Sequence, residues 1–396
     1  MITALRTLFS EGFRIFFLAA GLYAVISVGL WVGWLGIHAT GALVTEMPFA
    51  VPPHLWHAHE MVFGYAGAAL GGFFLTAVPN WTGTKAARHL FIVAASGLWL
   101  AGRLAVWWSG ALDPLLVAAI DLAFLPLLAS KIATQLVKRP KPQNLMFLLL
   151  LTMVWCGNLL VHLEWSGLID DGVWPGLRLG LLGTISIIVV LGGRIIPAFT
   201  RNAMTRSGIE TNLPRSHRVL DGTAIATAIL LPLLIVFAVP DIAVALVAFL
   251  TGALQAARLA GWRGRWTLSQ PILWSLHLGF AMLATGYMAL GLAFLDLFSE
   301  VAALHLLGIG AIGGMTLAVM SRAILGHAGK ALTVSAPIAL AYLLIALSAV
   351  LRAVGSAGGI EWYNAATLVS GGLWIAAFTL FVAVYLPVIL NLDSRP

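Results

Sequence analysis

Apolar residues run along this chain in blocks of 20 to 26, separated by short clusters of Gly, Pro and charge. As a helix, a block of that length rises about 30 Å, the thickness of the hydrocarbon core of a bilayer. The blocks lack the alternating polarity of a membrane-barrel strand, and where no water is present a helix pairs its own backbone groups. The pattern therefore predicts an all-α polytopic membrane protein of about twelve transmembrane helices. The first six spans fall near 13–38, 56–78, 89–108, 112–136, 143–163 and 174–199. The other six fall near 217–238, 240–261, 270–294, 298–321, 332–354 and 361–390, and the seventh and eighth form a tight hairpin at Pro240. Pro79 and Pro197 are expected to stop the second and sixth spans. Residues 1–396 are read as one transmembrane domain.

Composition supports the bilayer as solvent: 61% of the residues are apolar and 9% charged, against about 25% charged in soluble chains. Charge then sets the direction. The even-numbered loops hold Lys85, Arg88, Lys138, Arg139, Lys141, Arg201, Arg206, Arg215, Arg263, Arg265 and Lys330. The odd-numbered loops hold Glu46, Asp113, Glu164, Asp170, Asp171, Asp241, Asp296 and Glu361 and no Lys or Arg. Basic residues favour cytoplasmic loops, so both termini are expected in the cytoplasm. Reporters that are active on one side only, fused to each end, are predicted to read cytoplasm, and a periplasmic signal from either end overturns the topology. The net charge of +7 is thus a topology signal and not a nucleic-acid patch. Cys156 is the sole cysteine, which excludes a disulfide framework or a Cys-based metal site. The N-terminal MITALRTLFSEGFR leads into a full-length span, so no signal peptide is expected.

Ionisable groups inside spans are costly and mark functional candidates. Arg14, Arg103, Arg178 and Arg352 lie within a few turns of span ends, where snorkelling or a structural ion pair accounts for them. Asp121 is the main acid near the midplane. The topology puts His38, His54, His57, His59, His162 and His305 toward the periplasm and His89, His217, His277 and His327 toward the cytoplasm. Imidazole is a common metal ligand and a proton carrier, so the periplasmic group suits haem, copper, zinc or a proton relay. In WHAHEM (residues 56–61), His57 and His59 are two apart, point to nearly opposite helix faces and should have different roles. His54 and His57 share a face if the helix begins early, and Glu60 is placed to orient a ligand. Gly pairs recur at Gly71, Gly192 and Gly313, each followed nine residues later by Asn80, Arg201 or Arg322, a possible trace of a repeat of four helices.

WHAHEM, TAVPNWTG, GRIIPAFTRN, LHLG around His277 and HLLGIGAIGGMTLAVMSRAILGH with Lys330 resemble the NnrS family. The resemblance implies a haem- and copper-containing bacterial inner-membrane protein linked to nitric oxide and nitrosative stress. Carried over by position, the family's motif residues are His57, His59, Glu60, Asn80, His162, Arg194, Arg201, Asn202, His277, His305, Arg322 and His327. The twelve-helix plan also resembles the main subunit of haem–copper oxidases, whose helices two and ten ligate a low-spin haem. On that analogy His59 and His305 are expected as axial ligands of a haem b, with His277 and His327 as the alternative, and Arg194, Arg201 and Arg322 as further cofactor contacts. Copper is then expected at His57 and His162, with His54 and Glu60 nearby. Measured from the Gly pairs, His59 and His305 lie twelve and eight residues away, a depth difference of about 6 Å. Nitric oxide or a related small molecule is the expected ligand, and quinol or a soluble donor the source of electrons. A secondary transporter and an assembly subunit with structural histidines are the competing readings.

Overall fold

The computed structural model describes residues 2–358 and 360–391. Met1, residues 392–396 and the side chain of Glu361, on which parts of the topology reading fall, lie outside the described residues. Among the described residues there is no strand, and twelve helices are long and apolar enough to cross a membrane. We number them in chain order: α1 Gly12–Ala39, α2 Pro53–Thr82, α3 Leu90–Trp107, α4 Pro114–Leu136, α5 Pro142–Trp165 and α6 Val173–Arg206. The remainder are α7 Arg218–Val236, α8 Asp241–Ala260, α9 Pro271–Ala293, α10 Glu300–His327, α11 Ala336–Ala357 and α12 Trp362–Ile389. The chain is a multi-pass membrane protein.

Each apolar block of the sequence has become one helix, and the short α7–α8 connection ends at Pro240, just before Asp241 opens α8. The prolines do not act as expected. α2 runs through Pro79 to Thr82 and α6 through Pro197 to Arg206. An interior proline removes one backbone bond, whereas unravelling a helix in lipid would leave several groups unpaired. α2 stops instead at Gly83, whose φ of 64° supplies the left-handed cap, and the Thr82 hydroxyl donates 2.8 Å to the Val78 carbonyl.

Two compact units divide the chain. The first comprises Met1–Leu181, Ala323–Lys330 and Phe378–Pro396, the second Leu182–Arg322 and Ala331–Ala377. Glycine sets the packing in both, since small residues let backbones approach where no hydrophobic effect draws helices together. In the first unit a Cβ on Gly157 of α5 would lie 2.6 Å from the Gly176 carbonyl oxygen of α6. Gly72 of α2 seats the Phe17 ring of α1, where a Cβ would come within 2.6 Å. In the second unit Gly192 of α6 receives Phe280 of α9 and Gly313 of α10 receives Trp374 of α12. The three recurring Gly pairs of the sequence thus share one local task, seating an aromatic ring against a helix backbone. Arg258 of α8 lies against Gly193 and donates to Asp221 at 2.7 Å, Gln255 at 2.8 Å and the Val189 carbonyl at 3.2 Å.

Candidate metal centre

In the first unit, α1 to α5 each send polar side chains into one buried network. Its organising element is a π-helical turn, Glu60–Tyr65, directly after His59 in α2. Such widened turns recur at functional sites. Successive α-helical residues diverge by about 100°, yet His59 and Glu60 are both fully buried. Gly64 lies within the turn, and a Cβ there would come 2.7 Å from Nη1 of Arg103 and 2.8 Å from the Tyr23 ring. Only glycine leaves room for both groups to reach Glu60. The Gly64 carbonyl accepts the Trp99 indole N–H at 2.9 Å, which fixes α3 against the turn. On the other side, a Cβ on Gly102 would lie 2.7 Å from Oδ1 of Asp121, so this glycine admits the α4 carboxylate.

The bonds form a continuous chain. Glu60 accepts from the Tyr23 hydroxyl, from Nη1 of Arg103 at 2.7 Å and from Nδ1 of His59 at 2.8 Å. Arg103 also donates to Oδ1 of Asp121, bridging the two acids. Oδ2 of Asp121 accepts from Nδ2 of Asn158 and from Nε2 of His162, both at 2.8 Å. Because the Asn158 amide nitrogen faces Asp121, its oxygen faces Nε2 of His59, at 2.8 Å. Nε2 of His59 is also 3.3 Å from Oδ2 of Asp121. The rings of Phe63 and Trp165 close around His59 with centroids 5.1 and 4.9 Å away.

Charge accounting defines what this network can hold. Glu60 and Asp121 bring two negative charges and Arg103 one positive, and all three are buried. An uncompensated charge away from water is unfavourable, so one further positive charge belongs here. Both ring nitrogens of His59 face acceptors, so the balance can come from a second proton on His59, from a proton on one of the carboxylates, or from a metal ion in place of the Nε2 proton. The ligand atoms of His59, Asp121 and His162 all lie within 4.8 Å of one another. Two imidazoles and a carboxylate suit copper or zinc, and a carboxylate on the far nitrogen, as Glu60 is to His59, orients and strengthens a ligating histidine.

A family model described as NnrS protein matches residues 7–392. The chain belongs to the NnrS family. A comparison with curated proteins finds no match. In this NnrS member the fold brings His162 and His59 together and sets Glu60 directly behind His59. His57 turns away, as the two-residue spacing requires, and stacks on Trp31 with centroids 5.0 Å apart and planes 13° from parallel. His54 is exposed. Asp121 and Asn158 complete the set, although the sequence reading left both out of it. The available signal was the Asn158–His162 spacing of four, which puts both side chains on one face of α5.

The histidines expected at haem are placed differently from one another. Nε2 of His59 lies 2.8 Å from the Asn158 amide oxygen and 3.3 Å from Oδ2 of Asp121, within the network of the first unit. His305 lies in the second unit and donates from Nδ1 to the Val301 carbonyl at 2.7 Å. That bond fixes the tautomer and leaves Nε2 with an open lone pair, the arrangement of a ligating histidine. A second π-helical turn, Leu306–Gly313, follows it as the first follows His59. His277 is buried, with the Leu273 carbonyl 3.1 Å from one ring nitrogen and the Trp262 carbonyl 3.2 Å from the other. His327 is exposed and stacks on Phe13 at 5.2 Å. Arg201 donates to the Pro214 carbonyl at 2.6 Å, Arg322 lies 3.8 Å above the Phe199 ring, and Arg194 is half-buried.

Proposed function

We propose that the protein is a haem- and copper-containing protein of the bacterial inner membrane that binds, senses or turns over nitric oxide and protects the cell against nitrosative stress. Family membership supports the physiological part of this reading, and the observation that carries the chemical part is the buried His59–Asp121–His162 set. Copper would be held by these three residues, with Glu60 orienting His59 and Arg103 balancing the acids. Haem b would be ligated by His305. The two metals would supply sites at which a diatomic ligand binds or exchanges an electron, and quinol or a soluble carrier would be the electron source. This chain's own residues keep the first site dry and hold its ligands in one orientation. The Trp165 ring packs against both imidazoles, with centroids 4.9 Å from His59 and 5.4 Å from His162, and its indole N–H is buried without a partner among the described residues. Nitric oxide is uncharged and partitions into lipid, so it reaches a buried site without a polar channel.

A cation-coupled transporter has less support, because Asp121, its best midplane acid, is held by Arg103, Asn158 and His162. Cells lacking the protein are expected to tolerate nitric oxide donors less well at low oxygen, and the purified protein to show a haem Soret band. Unchanged growth and nitric oxide decay across several donors would sink the physiological part, and a protein without a Soret band the haem part.

A further inference from the structure

α11 carries a buried cation that no described side chain balances. Arg352 is 5% exposed, so it does not reach out to water as a snorkelling side chain would. Its guanidinium donates to the Ser356 hydroxyl one turn on and to the Tyr363 hydroxyl at 3.0 Å, with its centre 4.9 Å from the Tyr363 ring centroid. All of these partners are neutral. The other two arginines buried to this degree each bind a carboxylate, Arg103 two of them and Arg258 one. Hydroxyl bonds only partly offset the desolvation of a guanidinium, so Arg352 is set up for an anion.

The neighbouring span supplies the second half of the site. A Cβ on Gly310 of α10 would lie 3.3 Å from Cβ of Ala349 on α11, which fixes the register of the two helices. They run in opposite directions, so about one turn from that contact lie His305 and Leu306 on one and Arg352 and Ala353 on the other. The Gly310–Ala349 contact thus puts His305 and Arg352 at about the same level of the α10–α11 packing. One offers an open imidazole nitrogen, the other a guanidinium that meets no carboxylate among the described residues.

We propose that His305 and Arg352 form one site for a group that carries both a ligand-accepting metal and a carboxylate, the combination found in a haem and its propionates. His305 would serve the iron and Arg352 a propionate. The inference rests on the haem reading above and adds to it the residue that selects the acid side chains. The rival role for Arg352 is a staple between α11 and α12 through Tyr363.

Titrating the full-length, haem-depleted protein in detergent with haem b and with its dimethyl ester, followed by the Soret band, separates these roles. Wild type is expected to bind haem b about ten- to a hundredfold more tightly than the ester, the size of one lost charge-assisted hydrogen bond. Arg352→Leu should erase that preference, Arg352→Lys should keep most of it, and Tyr363→Phe should leave it intact. His305→Ala should shift the Soret maximum of any haem still bound. No preference in wild type, or a preference that survives Arg352→Leu, overturns the proposal while leaving the haem reading in place, and a band unmoved by His305→Ala overturns both the proposal and the assignment of His305 to the iron. Wild type that takes up neither haem overturns the proposal and the haem reading together. The ester comparison needs no variant, so a poorly folding Arg352→Leu protein does not block the test.

Discussion

Replacing Arg103 with leucine is expected to destabilise the protein by about 3–5 kcal/mol, the effect of stranding buried charges when one partner of an ion pair is removed. Among the described residues Arg103 is the sole guanidinium joined to both Glu60 and Asp121, so its loss leaves two buried carboxylates facing each other across the network. Folding would then require at least one of them to take up a proton. Lysine at this position keeps the charge but cannot fork between two acids, so Arg103→Lys should fall between wild type and leucine. Thermal unfolding in detergent, with the yield of monodisperse protein, reads the effect. A leucine variant as stable as wild type would mean that the two acids are balanced in some other way.

Glu60→Gln is expected to leave the fold standing and to weaken copper binding about ten- to a hundredfold, the usual effect of removing a carboxylate behind a ligating histidine. Glutamine occupies the same space, and its oxygen can still accept from Nδ1 of His59. What it lacks is the charge that makes His59 a stronger donor to the metal. Tyr23→Phe removes a neutral hydroxyl from the same carboxylate and should change copper affinity far less. Competition against a chelator of known affinity measures both. Equal affinity for Glu60→Gln and wild type would mean that His59 does not bind the metal through its far nitrogen.

The spans were legible because bilayer thickness fixes the length of each apolar block, and charge punctuation marks where each block ends. Pro79 and Pro197 misled because a rule learned in water overstates how readily a helix ends in lipid. The candidate centre was legible in part. WHAHEM announces His59 and Glu60 as buried polar neighbours, and the two-residue spacing correctly separates His57 from them. Asp121 stood out as a midplane acid, but nothing in its own span shows that it faces the second and fifth helices. That information lies in glycines whose role is steric: Gly64 and Gly102 matter only because Arg103, Tyr23 and Asp121 need the space a Cβ would fill. Arg352 shows the same limit, since its distance from a span end suggests snorkelling or an ion pair, whereas the fold buries it among hydroxyls.

The central claim is that the network around His59, Asp121 and His162 holds a metal ion. Copper analysis combined with electron paramagnetic resonance on the purified, copper-loaded protein tests it most directly. One copper per chain is expected, with nitrogen hyperfine coupling from two imidazoles. His162→Ala should lose one of those couplings, and His59→Ala should lose the copper or one coupling. Wild-type protein that retains no copper after loading, or a spectrum identical in wild type, His59→Ala, His162→Ala and Asp121→Asn, would contradict the account.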